Sequence, residues 1–250
     1  MRVAAVQFWG VPDGSSDRRA DLARWVWGVG PGTDLIVCPE LAPTPYVFAS
    51  ADEARAAAED RDGPTFQVLS PIAKALRSWV VCGFVERDEE RLYNSALVID
   101  PTGELRTVYR KTLLYEADLL WATPGDSGYC LVETDQGSFA VGICMDLNDP
   151  RFVAWLELVR PTALAFPTNW LEEGDDVWSY WAWRLQACGT SLVAANCWGR
   201  EGETVFAGRS VIMHRVLSHD LAPRWRVLAS ASATGDTLIR AELPAPISSA

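Results

Sequence analysis

The chain has 250 residues, 12 tryptophans and a hydrophobic content of 49%, which is enough to bury a large core as one α/β domain and too much for a disordered or fibrous protein. Its formal net charge of −11 and its lack of a basic stripe disfavour nucleic-acid and anionic-membrane partners, because both would be repelled. No segment reaches membrane-spanning length, the first apolar run is too short for a signal peptide, and six cysteines without a CxxC pair favour a reducing cytoplasm.

Apolar runs of strand length alternate with helical patterns in the first half of the chain. The predicted elements are strands over residues 2–8 and 35–38, helices over 22–29, 52–60 and 65–77, and strands over 79–86, 92–100 and 104–111. The last three strands follow one another across short polar turns, which predicts a meander.

The second half continues the alternation and opens with a hairpin across DQG, formed by strands over residues 130–134 and 138–144. Asp149 and Pro150 are typical of an N-cap and first helical position, so a helix is predicted over residues 151–159. The remaining predictions are a helix near residues 178–187, strands over 163–166, 192–197, 205–214 and 225–229, and a loose tail over 244–250. We expect a single domain over residues 1–250, with strands in two layers and helices outside them.

Three chemically active side chains stand where predicted strands run into loops: Glu40, Lys111 and Cys144. A carboxylate, an ammonium and a thiol are the groups needed to move protons, hold an oxyanion and attack an amide carbon. Each also has an ordinary interpretation, as an exposed loop acid, a solvated cation and a small buried hydrophobe. A helix start at Asp149 and Pro150 favours a reactive Cys144, because a helix N-terminus would lower the pKa of a thiol.

Blocks of sequence along nearly the whole chain resemble the nitrilase superfamily of carbon-nitrogen hydrolases. They are AAVQF at the start, DLIVCPELAPTPYVF around Glu40, NSALVIDPTGELRTVYRKTLLYEAD around Lys111, AVGICMD around Cys144, and FPTNW followed by AAN and FAGRS. The resemblance implies a four-layer α-β-β-α sandwich, a homodimer or larger homo-oligomer, and a Glu-Lys-Cys triad that needs no cofactor. CPELAPTPYVF, YEADLLW and GICMDLN look most similar to the branch that includes protein N-terminal amidases.

In this triad Cys144 is the expected nucleophile, and Glu40 is the general base that takes the thiol proton and returns a proton to the leaving amine. Lys111 is expected to hold the oxyanion together with the backbone N–H of Met145. The expected substrate contacts are Asp118, Met145, Asn169 and Trp170.

A second superfamily carboxylate usually follows the lysine and orients it or the attacking water. The spacing to Pro124 and Gly125 points to Asp118, whereas Glu116 has the expected side chain at a shifted position. Leu113 replaces the His often seen after this lysine. The arrangement around the triad therefore departs from the family pattern.

Two further features have both a functional and a structural interpretation. Asp146 binds a substrate ammonium or forms an ion pair with Arg151 or Arg184, and the ion pair is the favoured expectation. Trp178 and Trp181 stand at helical spacing, which favours packing.

The two histidines, His214 and His219, both stand late in the chain and are assigned structural or surface roles. Two histidines without a close cysteine pair do not favour a zinc site, and no phosphate-binding glycine pattern follows a strand, so no metal or cofactor is expected. The predicted activity is hydrolysis of a primary amide, on a small molecule or a peptide N-terminus, to acid and ammonia through a cysteine thioester. An N-carbamoyl amide hydrolase, a nitrilase acting on a cyano group and a catalytically silent oligomeric binding protein remain open.

Overall fold

The computed structural model describes residues 1–10, 17–174, 176–217 and 223–244. The first part of the chain alternates strands and helices and then forms three strands in succession. Its elements are β1 (Arg2–Gln7), α1 (Arg18–Gly28), β2 (Leu35–Val37), α2 (Ala51–Ala57), α3 (Pro64–Leu76), β3 (Trp79–Asp88), β4 (Arg91–Ile99) and β5 (Leu105–Arg110).

The second part begins after a 3-10 helix over Asp118–Leu120, and a further 3-10 helix over Cys144–Asn148 interrupts it. Its elements are β6 (Cys130–Thr134), β7 (Gly137–Val141), α4 (Pro150–Val159), β8 (Ala163–Thr168), α5 (Val177–Arg184), β9 (Ser191–Asn196), β10 (Trp198–Glu201), β11 (Thr204–Ala207), β12 (Val211–Leu217), β13 (Pro223–Ser230) and β14 (Thr237–Glu242). No helix among the described residues is long and apolar enough to cross a membrane.

Twelve of these strands form two six-stranded sheets, with the orders β14-β1-β2-β3-β4-β5 and β13-β12-β9-β8-β7-β6, and β10 and β11 form a separate two-stranded sheet. β1, β2 and β3 are parallel, as are β7, β8 and β9. β5 runs in the direction of β3, because the antiparallel β4 lies between them. The ends of β2 and β5 therefore meet at one edge of the first sheet, and the ends of β7 and β8 meet at one edge of the second.

Side-chain alternation along β1 divides the core into layers. Val3 and Ala5 belong to the apolar cluster between the two sheets, whereas Ala4 and Val6 pack in a cluster with residues of α1 and α3. A third cluster joins the second sheet to α4 and α5 through residues such as Phe152 and Trp181. The order helix, sheet, sheet, helix confirms the predicted four-layer sandwich.

Most predicted elements are present, and local chemistry explains them. β3, β4 and β5 form the predicted meander, and β6 pairs with β7 from Thr134↔Gly137 onward. α4 begins at Pro150, with the carboxylate of Asp149 accepting the backbone N–H of Arg151 at 2.9 Å. The N-cap prediction is therefore confirmed.

The prediction of one strand over residues 205–214 is wrong. Gly208 and Arg209 both have positive φ, which ends β11 and sends the chain into β12 in a different sheet. β11 pairs instead with β10, which the sequence pattern did not predict. β14 was also missed, although its exposed Arg240 and Glu242 alternate with Ile239 and Ala241 as the residues of an edge strand do. Of the tail predicted to be loose, residues 245–250 lie outside the described residues.

Candidate active site

Glu40 is held in place where the end of β2 passes close to β3. Leu41, directly after it, has a φ of 47°, so the chain bends sharply here. A Cβ on Gly83 of β3 would lie 2.5 Å from the Cα of Glu40, so only glycine permits this approach. The side chain of Glu40 is fully buried. Asn169 holds the residue in place by donating its backbone N–H to Oε2 at 2.9 Å and its side-chain amide to the backbone carbonyl at 2.9 Å.

Lys111, the first residue after β5, is fully buried between two carboxylates. Its Nζ lies 2.7 Å from Oε1 of Glu40 and 2.7 Å from Oδ2 of Asp118. The side-chain amide of Asn94, on the neighbouring β4, donates to both carboxylates at 2.8 and 3.0 Å. The backbone N–H of Tyr115 also donates to Asp118, at 2.9 Å. The predicted contact between the acid and the cation is thus present, and Asp118 is the second carboxylate that touches the lysine.

Burial and neighbouring charge act in opposition on this cluster. Burial alone would lower the pKa of Lys111, but the charges of Glu40 and Asp118 outweigh it and the pKa stands well above its usual range. Burial raises the pKa of Glu40 and Asp118 adds to that rise, while Lys111 opposes both. Lys111 is therefore held as a cation, and the raised pKa of Glu40 makes it a stronger proton acceptor than an ordinary carboxylate.

Cys144 is the first residue of the 3-10 helix that follows β7. Its φ of 44° is unusual for a residue with a side chain and costs about 1–3 kcal/mol of local strain. The charges of Glu40 and Lys111 both act on the pKa of its thiol, and Asn169, which donates to Glu40, lines the same cavity as Cys144. The thiol, acid and cation predicted from distant stretches of sequence are therefore brought together.

Burial raises the pKa of Cys144 to about 12, and the negative charge of Glu40 contributes to that rise. Lys111 and the hydroxyl of Thr168 oppose it without overcoming it. The prediction that a helix N-terminus lowers this pKa is wrong, because α4 begins only at Pro150 and burial beside a carboxylate dominates at Cys144. The sulfur carries its proton at neutral pH, so nucleophilic attack needs a proton acceptor.

Asp146 fastens the turn of Cys144 to the segment around Lys111. Its Oδ2 accepts from the hydroxyl of Tyr109 at 2.8 Å and from the backbone N–H of Ile143 at 2.9 Å. Its Oδ1 accepts the backbone N–H and hydroxyl of Thr112 at 2.9 and 2.8 Å and one more backbone N–H at 3.0 Å. The carboxylate joins residues on both sides of the site and is itself completely buried.

The expected ion pair of Asp146 with Arg151 or Arg184 is wrong. Arg151 pairs with Asp149, and Arg184 donates to the backbone carbonyl of Leu147 at 2.8 Å. The five neutral donors around Asp146 replace a cation, although burial still raises the pKa of this carboxyl group.

A cavity of about 220 Å³ opens onto Cys144. Met145, Asn169 and Trp170, three of the four predicted substrate contacts, line it. Asp118 does not line it; this side chain is 1% exposed and contacts Lys111 instead. Glu116, the other candidate for the second carboxylate, is exposed. Side chains that line the cavity and that sequence reasoning did not single out include Tyr46, Tyr115, Asn148, Glu173 and Tyr180.

Trp181 and His214, which were also singled out from the sequence, make packing and hydrogen-bond contacts away from the triad. Trp181 is buried in the core below Trp170, with ring centroids 5.7 Å apart. Nδ1 of His214 lies 2.9 Å from the hydroxyl of Ser191, and His219 lies outside the described residues. Within the described ranges no three His, Cys, Asp or Glu side chains are grouped to hold a metal ion.

Comparison with known proteins identifies relatives of this chain. A family model described as carbon-nitrogen hydrolase matches residues 2–248. A hydrolase of Schizosaccharomyces pombe is 30% identical over 208 residues, which cover 79% of this chain and 64% of the relative. The protein N-terminal amidase of Saccharomyces cerevisiae is 33% identical over 141 residues, which cover 48% of this chain and 31% of the relative. The chain thus spans less than two thirds of the length of these two relatives.

Two solved structures share the fold across nearly the whole chain. An N-terminal amidase crystallised with an Asn-Glu-Ala peptide has a TM-score of 0.78 at 16% identity, covering 97% of this chain and 98% of its own. A mutant amidase from Nesterenkonia sp. AN1, with the acetamide moiety of fluoroacetamide added covalently at its active-site cysteine, has a TM-score of 0.77 at 21% identity. That alignment covers 98% of this chain and 90% of the amidase.

Proposed function

This chain belongs to the carbon-nitrogen hydrolase family, and from that premise we propose that it hydrolyses a primary amide to the carboxylic acid and ammonia through a thioester on Cys144. The observation that carries the proposal is the buried contact of Lys111 with Glu40 and Asp118, at 2.7 Å each, beside a cavity that reaches the sulfur. An ammonium, a carboxyl group with a raised pKa and a thiol supply every group that the reaction needs.

Acylation begins with transfer of the thiol proton to Glu40 as the sulfur attacks the amide carbon. The new C–S bond leaves the carbonyl oxygen negatively charged, and Nζ of Lys111 stabilises it. The backbone N–H of Met145 is a second donor, since it lies in the first turn of its helix, where amides lack partners within the helix. Glu40 then gives its proton to the amide nitrogen, the C–N bond breaks and ammonia leaves.

Deacylation repeats these steps with water in place of the thiol. Glu40 accepts a proton from water, whose oxygen attacks the thioester carbon and forms the second oxyanion. Collapse of that intermediate breaks the C–S bond, releases the acid and returns the proton to the sulfur. Asp118 acts through Lys111, by holding the ammonium in position with a charge-assisted hydrogen bond.

An amide is proposed in preference to a nitrile or an N-carbamoyl compound because several relatives are amidases by name. They include the two yeast protein N-terminal amidases and the chloroplastic omega-amidase of Arabidopsis thaliana. The silent-protein alternative depended on an altered second carboxylate. Asp118 contacts Lys111 as that carboxylate should, which argues against a catalytically silent protein.

The direct test is ammonia release from a panel of primary amides that includes peptides with N-terminal Asn and Gln. Carbon dioxide is measured in parallel, because an N-carbamoyl substrate yields it together with ammonia. We expect amide-dependent ammonia release by the wild-type protein and none by Cys144→Ala. Release from carbamoyl compounds or nitriles alone would replace the proposal with one of those activities.

Three further proposals accompany this function. We propose a homodimer or larger homo-oligomer, which sedimentation tests directly. The six cysteines are free thiols, which supports a reducing, cytoplasmic environment. We also propose that residues 1–250 form one domain, for which a single cooperative unfolding transition is expected.

A further inference from the structure

The wall of the cavity is aromatic and acidic. Tyr46, Tyr115, Trp170 and Tyr180 supply aromatic surface, and Glu173 supplies a carboxylate. None of the residues lining the cavity is a lysine, arginine or histidine. A bound carboxylate or phosphate group would therefore find no cationic partner on this wall.

Glu173 has no competing partner in the described part of the chain. Its neighbour Glu172 forms an ion pair with Arg209 and accepts the backbone N–H of Gly174. Glu173 makes neither kind of contact with the described residues and is exposed at the cavity. Its charge reaches across to Tyr115, whose pKa is raised first by burial and then by Glu173.

A carboxylate among aromatic rings attracts cations in two ways. The faces of the rings carry partial negative charge and bind ammonium groups, and the carboxylate adds a direct Coulomb attraction. Cys144 and Glu173 line the same cavity of about 220 Å³, so a small amide placed at Cys144 extends its other end into the space that Glu173 borders. The cavity wall therefore distinguishes substrates by the charge that they carry at that end.

We propose that Glu173 and the surrounding aromatic side chains form a subsite for an ammonium group on the acyl part of the substrate, so that the preferred substrates are cationic primary amides. This inference rests on the proposed amide hydrolysis. It adds a specificity-determining residue, Glu173, and excludes amides that carry a carboxylate as preferred substrates.

Three primary amides test the subsite. β-Alaninamide and butyramide have nearly the same shape and differ in an ammonium against a methyl group, and succinamate carries a carboxylate instead. We expect kcat/KM to fall in the order β-alaninamide, butyramide, succinamate. Glu173→Gln should reduce the ratio of β-alaninamide to butyramide by about fivefold, the size expected for a single exposed ion pair.

Glu116→Gln is the matched control. Glu116 is also an exposed carboxylate whose charge acts on Tyr115, but it does not line the cavity. The two variants change the net charge equally, so only a carboxylate at the subsite should alter the ratio. An equal effect of both substitutions, or no effect of Glu173→Gln, would overturn the inference while ammonia release upheld the proposed function.

A second measurement does not require turnover. Binding of β-alaninamide and butyramide to the Cys144→Ala variant is compared by calorimetry. The subsite predicts tighter binding of β-alaninamide, and addition of Glu173→Gln should remove most of that preference. Equal affinities would refute the subsite even if the wild-type protein hydrolysed none of the three amides, a result that would count against the proposed function separately.

Discussion

Replacing Gly83 by alanine should displace the backbone of Glu40 while leaving all three reactive side chains chemically unchanged. The new Cβ would stand 2.5 Å from the Cα of Glu40, 2.6 Å from the backbone nitrogen of Leu41 and 2.7 Å from the carbonyl oxygen of Pro39. All three are backbone atoms, so no side chain can rotate away. Ordinary contact at about 3.4 Å requires a retreat of about 0.9 Å at Glu40.

A displacement of about 1 Å in a reacting group lowers turnover about 100-fold, and overpacking of this kind costs about 1–3 kcal/mol of stability. The assay is kcat/KM for ammonia release, together with urea unfolding monitored by tryptophan fluorescence. Gly189→Ala is the matched control, because a Cβ there has no atom within 4 Å. Equal turnover and stability of the two variants would refute the claim that the β3 backbone positions Glu40.

Three other substitutions separate the roles within the site. Glu40→Gln removes a negative charge that raises the pKa of Cys144, so the pKa of this thiol should fall below the wild-type value of about 12. The pKa is measured from the pH dependence of alkylation by iodoacetamide, with peptide mapping to identify the modified cysteine. An unchanged or higher value would contradict the proposed proximity of Glu40 to Cys144. Asp146→Asn places an amide where the buried N–H of Ile143 needs an acceptor, and should lower the free energy of unfolding by about 1–3 kcal/mol in urea titration. Tyr109→Phe removes one donor and leaves the carboxylate paired, so a smaller loss of about 1 kcal/mol is expected, and the reverse order of the two losses would contradict this account.

The parts of the site that follow strand ends could be predicted from sequence. Glu40 follows a short apolar run and Lys111 ends the strand-like segment that begins at Glu104, and strands that point the same way bring their ends to one edge of a sheet. Cys144 was identified in the same way at the end of a predicted strand, and motif resemblance added the roles of the three residues. These residues were therefore identified without any knowledge of loop conformation.

Residues whose role depends on burial could not be assigned in the same way. Asn94 stands inside β4, where its sequence context is that of any strand residue, and only sheet register places it between two carboxylates. Asp146 was expected to need a cation, but donors from residues 109–113 and the backbone N–H of Ile143 satisfy it instead. The pKa of Cys144 was predicted in the wrong direction, because depth beneath the surface has no local signature in sequence.

Loop conformation was the other feature that could not be predicted from the sequence. The cavity wall is built largely from segments between elements, where Tyr115 and Glu173 lie far apart in sequence and yet line one cavity. Positive φ angles at Gly208 and Arg209 divide what the apolar pattern shows as one continuous strand. Both features are set by tertiary contacts and not by the periodicity of the chain.

The thioester on Cys144 is tested most directly by hydroxylamine, which competes with water for an acyl-enzyme. An amide substrate is incubated with the wild-type protein and with Cys144→Ala in the presence of hydroxylamine, and hydroxamate and ammonia are measured together. We predict that the wild-type protein forms both products and that Cys144→Ala forms neither. Ammonia release by Cys144→Ala at the wild-type rate would contradict the account.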